Sequence, residues 1–289
     1  MRYSEPTIRN HHLSAIMSNL SGNRIGVESA LDSRIGHAEL RFLRGGQPRT
    51  VASMSAPESI SGNLAARVAV DTAAMPWSQS PSGTVWRKRV HLVGPAESGQ
   101  VTSVVRYEPR STFHLHDHPD GEEILVLEGV FSDERGDWPA GTYLLNPEGF
   151  RHAPFSREGC VLFVKLRQFP GRTRAHVATR TDTLAWTATG RAGVTVRPLY
   201  AQPGFSDSMR LERWAPGVEL GRVGYPNGAE LFVLEGSFAD EGGTFAEHAW
   251  LRLPPGAAHV PSSVDGCVVY IKEGGFAYLR AGRPDEGEE

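Results

Sequence analysis

Three histidines alternate along Phe113-His114-Leu115-His116-Asp117-His118. On an extended strand that spacing turns all three imidazoles to one face. Pro119-Asp120-Gly121 then supplies turn residues, and a second strand opens at Glu122-Glu123-Ile124-Leu125-Val126-Leu127. Imidazoles and a carboxylate can thus converge across a hairpin. Neutral ring nitrogens with one hard oxygen suit a divalent first-row transition metal. A further donor comes from downstream. There the strand Gly141-Thr142-Tyr143-Leu144-Leu145-Asn146 runs into a Pro147-Glu148-Gly149 turn and then reaches His152.

The chain that must position these groups has 289 residues, enough for two domains of ordinary size. Its net charge of −3 gives no argument for nucleic acid or an anionic membrane as partner. No apolar run is long enough to span a bilayer. The N-terminus has no basic stretch leading into an apolar core, so no secretory signal is expected and the expected location is cytoplasmic. Two cysteines, Cys160 and Cys267, are too few for a disulfide scaffold.

Residues 1–62 hold Ser, Asn, Arg and Gly with weak periodicity, and read as a poorly ordered N-terminal extension. Within it, His11 and His12 would point to opposite faces of a strand, a poor arrangement for a metal. Folded-looking sequence begins soon after Met54, which is therefore a candidate natural start. From Leu64 onward short strand candidates dominate, among them Arg67-Val68-Ala69-Val70-Asp71, residues 86–93 and residues 100–107. Gly and Pro punctuate them at short spacing, the pattern of an all-β sandwich or barrel. His91 sits on one of these strands and reads as structural or exposed. The last residues, 281–289, form a short acidic tail expected to be solvated.

The second half repeats the first at a constant offset of 107 residues: Gly121 matches Gly228, Pro147 matches Pro254 and Lys165 matches Lys272. Features present in both halves need only the fold. Leu127-Glu128-Gly129, Asp133-Glu134, the Pro-x-Gly turn and the two cysteines belong here, and the cysteines read as small core hydrophobes. The metal candidates break the symmetry. Opposite His116, His118 and Glu122 stand Val223, Tyr225 and Ala229, and only His259 matches, opposite His152. One imidazole cannot hold a divalent ion tightly, so a single metal is expected, in the first unit. His248 stands opposite Gly141 and reads as a surface residue at a strand end.

These motifs resemble those of the cupin superfamily. The pattern G(X)5HXH(X)3E(X)6G fits from His116 through Glu122 to Gly129, with Arg110 in place of its first glycine. The pattern G(X)5PXG(X)2H(X)3N fits from Gly141 through Pro147 and Gly149 to His152, with Ser156 where Asn is usual. The resemblance implies an all-β fold of two tandem cupin barrels, of the double-stranded β-helix or jelly-roll kind. Residues 63–172 would form the metal-binding unit and residues 173–280 a degenerate one. It also implies the metal ligands His116, His118, Glu122 and His152. His114 falls outside the ligand spacing and reads as an exposed strand residue or a neighbour of the site.

At the level of subfamily, residues 121–134, 139–143, 152–156 and 159–165 are similar to the ChrR-type cupin-like domain. In ChrR proteins this domain is half of a zinc-dependent anti-sigma factor that responds to singlet oxygen. Its anti-sigma half binds zinc through His and a CxxC pair, whereas the extension here contains no cysteine. That departure argues against a sigma factor as partner. The resemblance leaves two functions open, separated by the ion. Iron, with two open positions, would suit a dioxygenase-like enzyme acting on a small carbonyl or dicarbonyl compound. Zinc closed by four ligands would suit a structural or sensory protein without turnover. Histidine and glutamate fit both ions, and manganese or nickel as well. A small-molecule ligand or substrate is the expected partner, a homodimer is compatible with the sequence, and no catalytic base can be named.

Overall fold

The computed structural model describes residues 59–282. Residues 1–58 of the extension, with His11, His12 and Met54, lie outside the described residues, as do residues 283–289 of the acidic tail. Within the described part the chain is built almost wholly of strands, and its helical segments are two short turns, Thr181–Thr183 and Gly275–Tyr278. No helix among the described residues is long and apolar enough to cross a membrane.

The strands make two antiparallel jelly-roll barrels with the same strand order. In the first, Val85–Val93, Gln100–Tyr107, Cys160–Leu166, Glu122–Asp133 and Thr142–Asn146 lie side by side. In the second, Val194–Ala201, Ser208–Trp214, Cys267–Glu273, Ala229–Asp240 and Ala249–Leu253 repeat that order. Each barrel also has a small separate ribbon, His116–His118 with Phe150–His152 and Val223–Tyr225 with Ala257–His259. The central strands are apolar on both faces, because one face fills a barrel and the other meets the partner barrel.

The repeated Gly129 and Gly236 have a steric cause. Both are left-handed, with φ +68 and +69, beside a β-bulge in the long strand. A Cβ on either would stand 2.2 Å from the carbonyl oxygen of Gly159 or Gly266. Cys160 and Cys267 are buried and free, and burial foremost raises both thiols to about 11.

The two barrels exchange strands. Val68–Asp71, which opens the first unit in sequence, pairs with Ala249–Leu253 of the second barrel. Val177–Arg180, which opens the second, pairs with Thr142–Asn146 of the first. Between the barrels lies a continuous core in which Phe163 stacks on Phe232 with ring centroids 4.3 Å apart. Lys165 and Glu230 form an ion pair inside it, with Nζ 2.6 Å from Oε2 and side chains 0% and 4% exposed.

Candidate metal centre

The small ribbon of the first barrel builds the site. His152 lies directly across the ladder from His116, and His118 follows two residues along the same strand. Cross-strand partners share a face, as do residues two apart. The three imidazoles therefore gather as the alternation requires, with centroids 4.8 to 5.3 Å apart. Their donor atoms lie within 4.8 Å of one another, the one such cluster among the described residues. Glu122 starts the adjacent long strand. Its Oε2 lies 3.5 Å from Nε2 of both His118 and His152, beside the histidine cluster.

Neighbouring groups aim these donors. His116 Nδ1 donates to the His114 carbonyl at 2.9 Å, and His152 Nδ1 approaches Asp133 Oδ2 at 3.4 Å. Fixing the outer nitrogen of a ring turns the other nitrogen inward. Asn146 Nδ2 donates to Glu122 Oε2 at 2.9 Å, because Asn146 is the cross-strand partner of Glu122. His118 and His152 approach Nε2 to Nε2 at 3.0 Å, which requires one ring to donate and the other to accept. Their acidities diverge accordingly. Burial holds the His118 imidazole below its ordinary value. At His152 burial acts the same way, but the Asp133 hydrogen bond and the Glu122 charge outweigh it and raise the group. Three ring nitrogens turned together, with a carboxylate oxygen beside two of them, fit a divalent transition metal.

His114 does not join them. Residues 113–115 are irregular, so alternation along one strand does not extend back to it, and His114 is exposed at the rim. The site opens into a cavity of about 430 Å³, lined by His116, His118, Glu122 and the apolar Val85, Phe113, Ile124 and Leu162, with Arg87 and Arg167 at its polar side.

The second barrel holds the matching framework without the donors. His259 Nδ1 donates to Asp240 Oδ2 at 2.8 Å, but its Nε2 is buried without a partner. Val223, Tyr225, Ala229 and Leu253 fill the space around it as core. His248, read as a surface residue, is half-buried, left-handed with φ +70, and stacks over Phe232.

Two supporting residues are less visible in the sequence. Asn146 faces Leu253 in the repeat, so the contrast that marks His116, His118 and Glu122 marks Asn146 too. Asp133 is masked by the same test, because Asp240 preserves it. Ser156, the departure from the second motif, is a fold residue: its Oγ donates to Val130 O at 2.6 Å, as Ser263 Oγ does to Ser237 O. Replacement of Asp133 by Asn is expected to weaken metal binding about 10–100-fold, measured by competition with a chromophoric chelator. Unchanged affinity would show that Asp133 does not orient His152.

The profile of the ChrR cupin-like domain matches residues 65–170 and again residues 174–277. No curated protein matches the chain. Among solved structures, a proposed dioxygenase from Nostoc punctiforme aligns with TM-score 0.60 and 14% identity, over 75% of this chain and 86% of that one. The protein Ylba of E. coli aligns with TM-score 0.54 and 15% identity, over 75% and 93%. Oxalate decarboxylase from Bacillus subtilis aligns with TM-score 0.51 and 13% identity, over 71% and 75%. At these identities the likeness shows the fold alone.

Proposed function

The chain belongs to the ChrR cupin-like family, and we propose that its first barrel is the metal centre of a dioxygenase-like enzyme acting on a small carbonyl or dicarbonyl compound. His116, His118, Glu122 and His152 would hold one divalent ion, iron in this reading. Bound there, such an ion supplies a positive centre with open positions for oxygen and for an enolate-like anion. The observation that carries the reading is the cavity. A metal that only braces the fold needs no accessible space beside it, whereas here about 430 Å³ adjoins the donor cluster, within the range of small-molecule sites. Apolar walls would shape the substrate, while Asn146, on the neighbouring strand, donates to Glu122 Oε2, the oxygen that faces His118 and His152. The Nostoc protein of the same fold is itself a proposed dioxygenase, which is consistent with this reading.

The test is elemental analysis of the full chain, purified anaerobically without added metal or a histidine tag. Iron at about one per chain supports the enzyme, to be followed by oxygen uptake with candidate diketones. Stoichiometric zinc would replace it by the alternative, a zinc-bound sensor without turnover. In either case metal removal is expected to lower the melting temperature, because a site absent from the unfolded chain couples binding to folding. Acidification through the histidine range is expected to release the ion, since ligation needs neutral imidazole. A melting temperature unmoved by chelation would contradict both.

A further inference from the structure

Arg167 is explained neither by the metal cluster nor by the fold. Its backbone is left-handed, φ +60, a region that disfavours every side chain but glycine's. At the matching position in the second barrel stands Gly274, with φ +74. The strands leading into the two positions share one register, Lys165 opposite Glu123 and Lys272 opposite Glu230. The fold is therefore served by glycine, and the strained arginine is confined to the barrel that carries the ligands. Non-glycine residues in such conformations concentrate where the side chain has a task.

That side chain lines the metal cavity together with His116, His118 and Glu122. Its hydrogen bond runs from Nη1 to Gly99 O at 3.3 Å, and no carboxylate of the described residues comes within ion-pair range of it. Three acids line the cavity. Glu97 is committed to Arg87, both of its oxygens lying 2.8 Å from Nη1, and also to Arg89 at 3.1 Å. Glu122 faces the histidines, and Asp117 alternates out to the exposed face. A guanidinium left without a counter-ion in a pocket with apolar walls is a carboxylate receptor.

We infer that Arg167 binds a carboxylate of the substrate, which makes the substrate a small organic anion with an apolar body. This rests on the proposed metal centre and sharpens it. A divalent ion with the single charge of Glu122 leaves the inner end of the cavity positive, and Arg167 adds a second positive point, so a neutral compound would leave the guanidinium unanswered.

The experiment is a calorimetric titration of the metal-replete full chain with phenylacetate and with its neutral isostere phenylacetamide, alongside the variants Arg167→Gly and Arg167→Lys. Wild type is expected to prefer the anion by about tenfold or more. Arg167→Gly, which installs the residue of the second barrel, is expected to melt at or above the wild-type temperature, keep its metal and lose the preference. Arg167→Lys retains charge without the fork and is expected to keep part of it. A preference that persists in Arg167→Gly would assign the anion to the metal alone and overturn the inference, as would absence of phenylacetate binding in wild type at millimolar concentration. A chain that lacks metal yet shows the Arg167-dependent preference would support the inference and remove the proposed metal chemistry.

Discussion

Replacement of His118 by alanine is expected to abolish stoichiometric metal retention while leaving the barrel folded. Four donors to a tightly held divalent ion share about 10–16 kcal/mol. Loss of one is therefore worth roughly 3 kcal/mol, about two orders of magnitude in affinity. The fold bears the change because His118 borders a cavity rather than a packed layer, so the hydrogen bond lost to His152 can be replaced by water. The metal-free melting temperature should accordingly match that of metal-free wild type, whereas the chelator-sensitive part of the wild-type stability should vanish. The internal control is His259→Ala. It removes the matching imidazole of the second barrel, where Val223 and Ala229 offer no donor and Tyr225 is packed in the core, and it should leave metal content unchanged. Full occupancy of His118→Ala, measured by elemental analysis after dialysis, would remove His118 from the ligand set.

What the sequence disclosed follows from how local each feature is. Alternation within six residues and a turn of known chemistry suffice to gather His116 and His118, and the repeat offset then identifies which histidines exceed the needs of the fold. Two barrels follow from the same offset, since matched turns and glycines impose matched strands. Strand exchange was not legible. Periodicity marks residues 67–71 as a strand candidate, but it carries no record of which edge that strand, or Val177–Arg180, joins. Backbone conformation was only half legible. Arg110, Arg167 and His248 are all left-handed, and each faces a glycine, Gly217, Gly274 and Gly141, in the other unit. The sequence displayed two of these as motif departures without disclosing that the strained conformation survives the exchange. Glu123 and Glu230, one residue beyond the site-facing positions 122 and 229, turn away from the site by strand alternation and contact Tyr270 and Lys165. Their destination, the core between the barrels, depends on a packing that no single repeat encodes.

In that core, equivalent lysines are expected to behave unequally. Lys165→Met leaves Glu230 buried and without its 2.6 Å partner, and should cost about 3–5 kcal/mol in urea unfolding. The double variant Lys165→Met/Glu230→Leu should recover most of that, because it removes both desolvated charges together. Lys272, the repeat counterpart of Lys165, has no hydrogen-bond partner and lies 3.8 Å from the centroid of the Phe169 ring. The carboxylate that would have answered it, Glu123, instead accepts from the Tyr143 and Tyr270 hydroxyls at 2.8 and 2.7 Å. Lys272→Met should therefore cost less than Lys165→Met, because it removes a charge that the buried carboxylates feel but no hydrogen bond. The pH dependence carries the same distinction. Burial would push the Glu230 carboxyl upward, but the charges of Lys165 and Lys272 and the Lys165 hydrogen bond outweigh it and bring the group from 4.5 to about 2. A carboxyl depressed by folding contributes stability above its unfolded value and loses it as pH falls toward the folded one. The wild-type chain should thus lose stability progressively between about pH 4.5 and 2, and the double variant should lack that component of the acid transition. Equal acid sensitivity in the two proteins would mean that the Lys165–Glu230 pair does not set the acid limit of the fold.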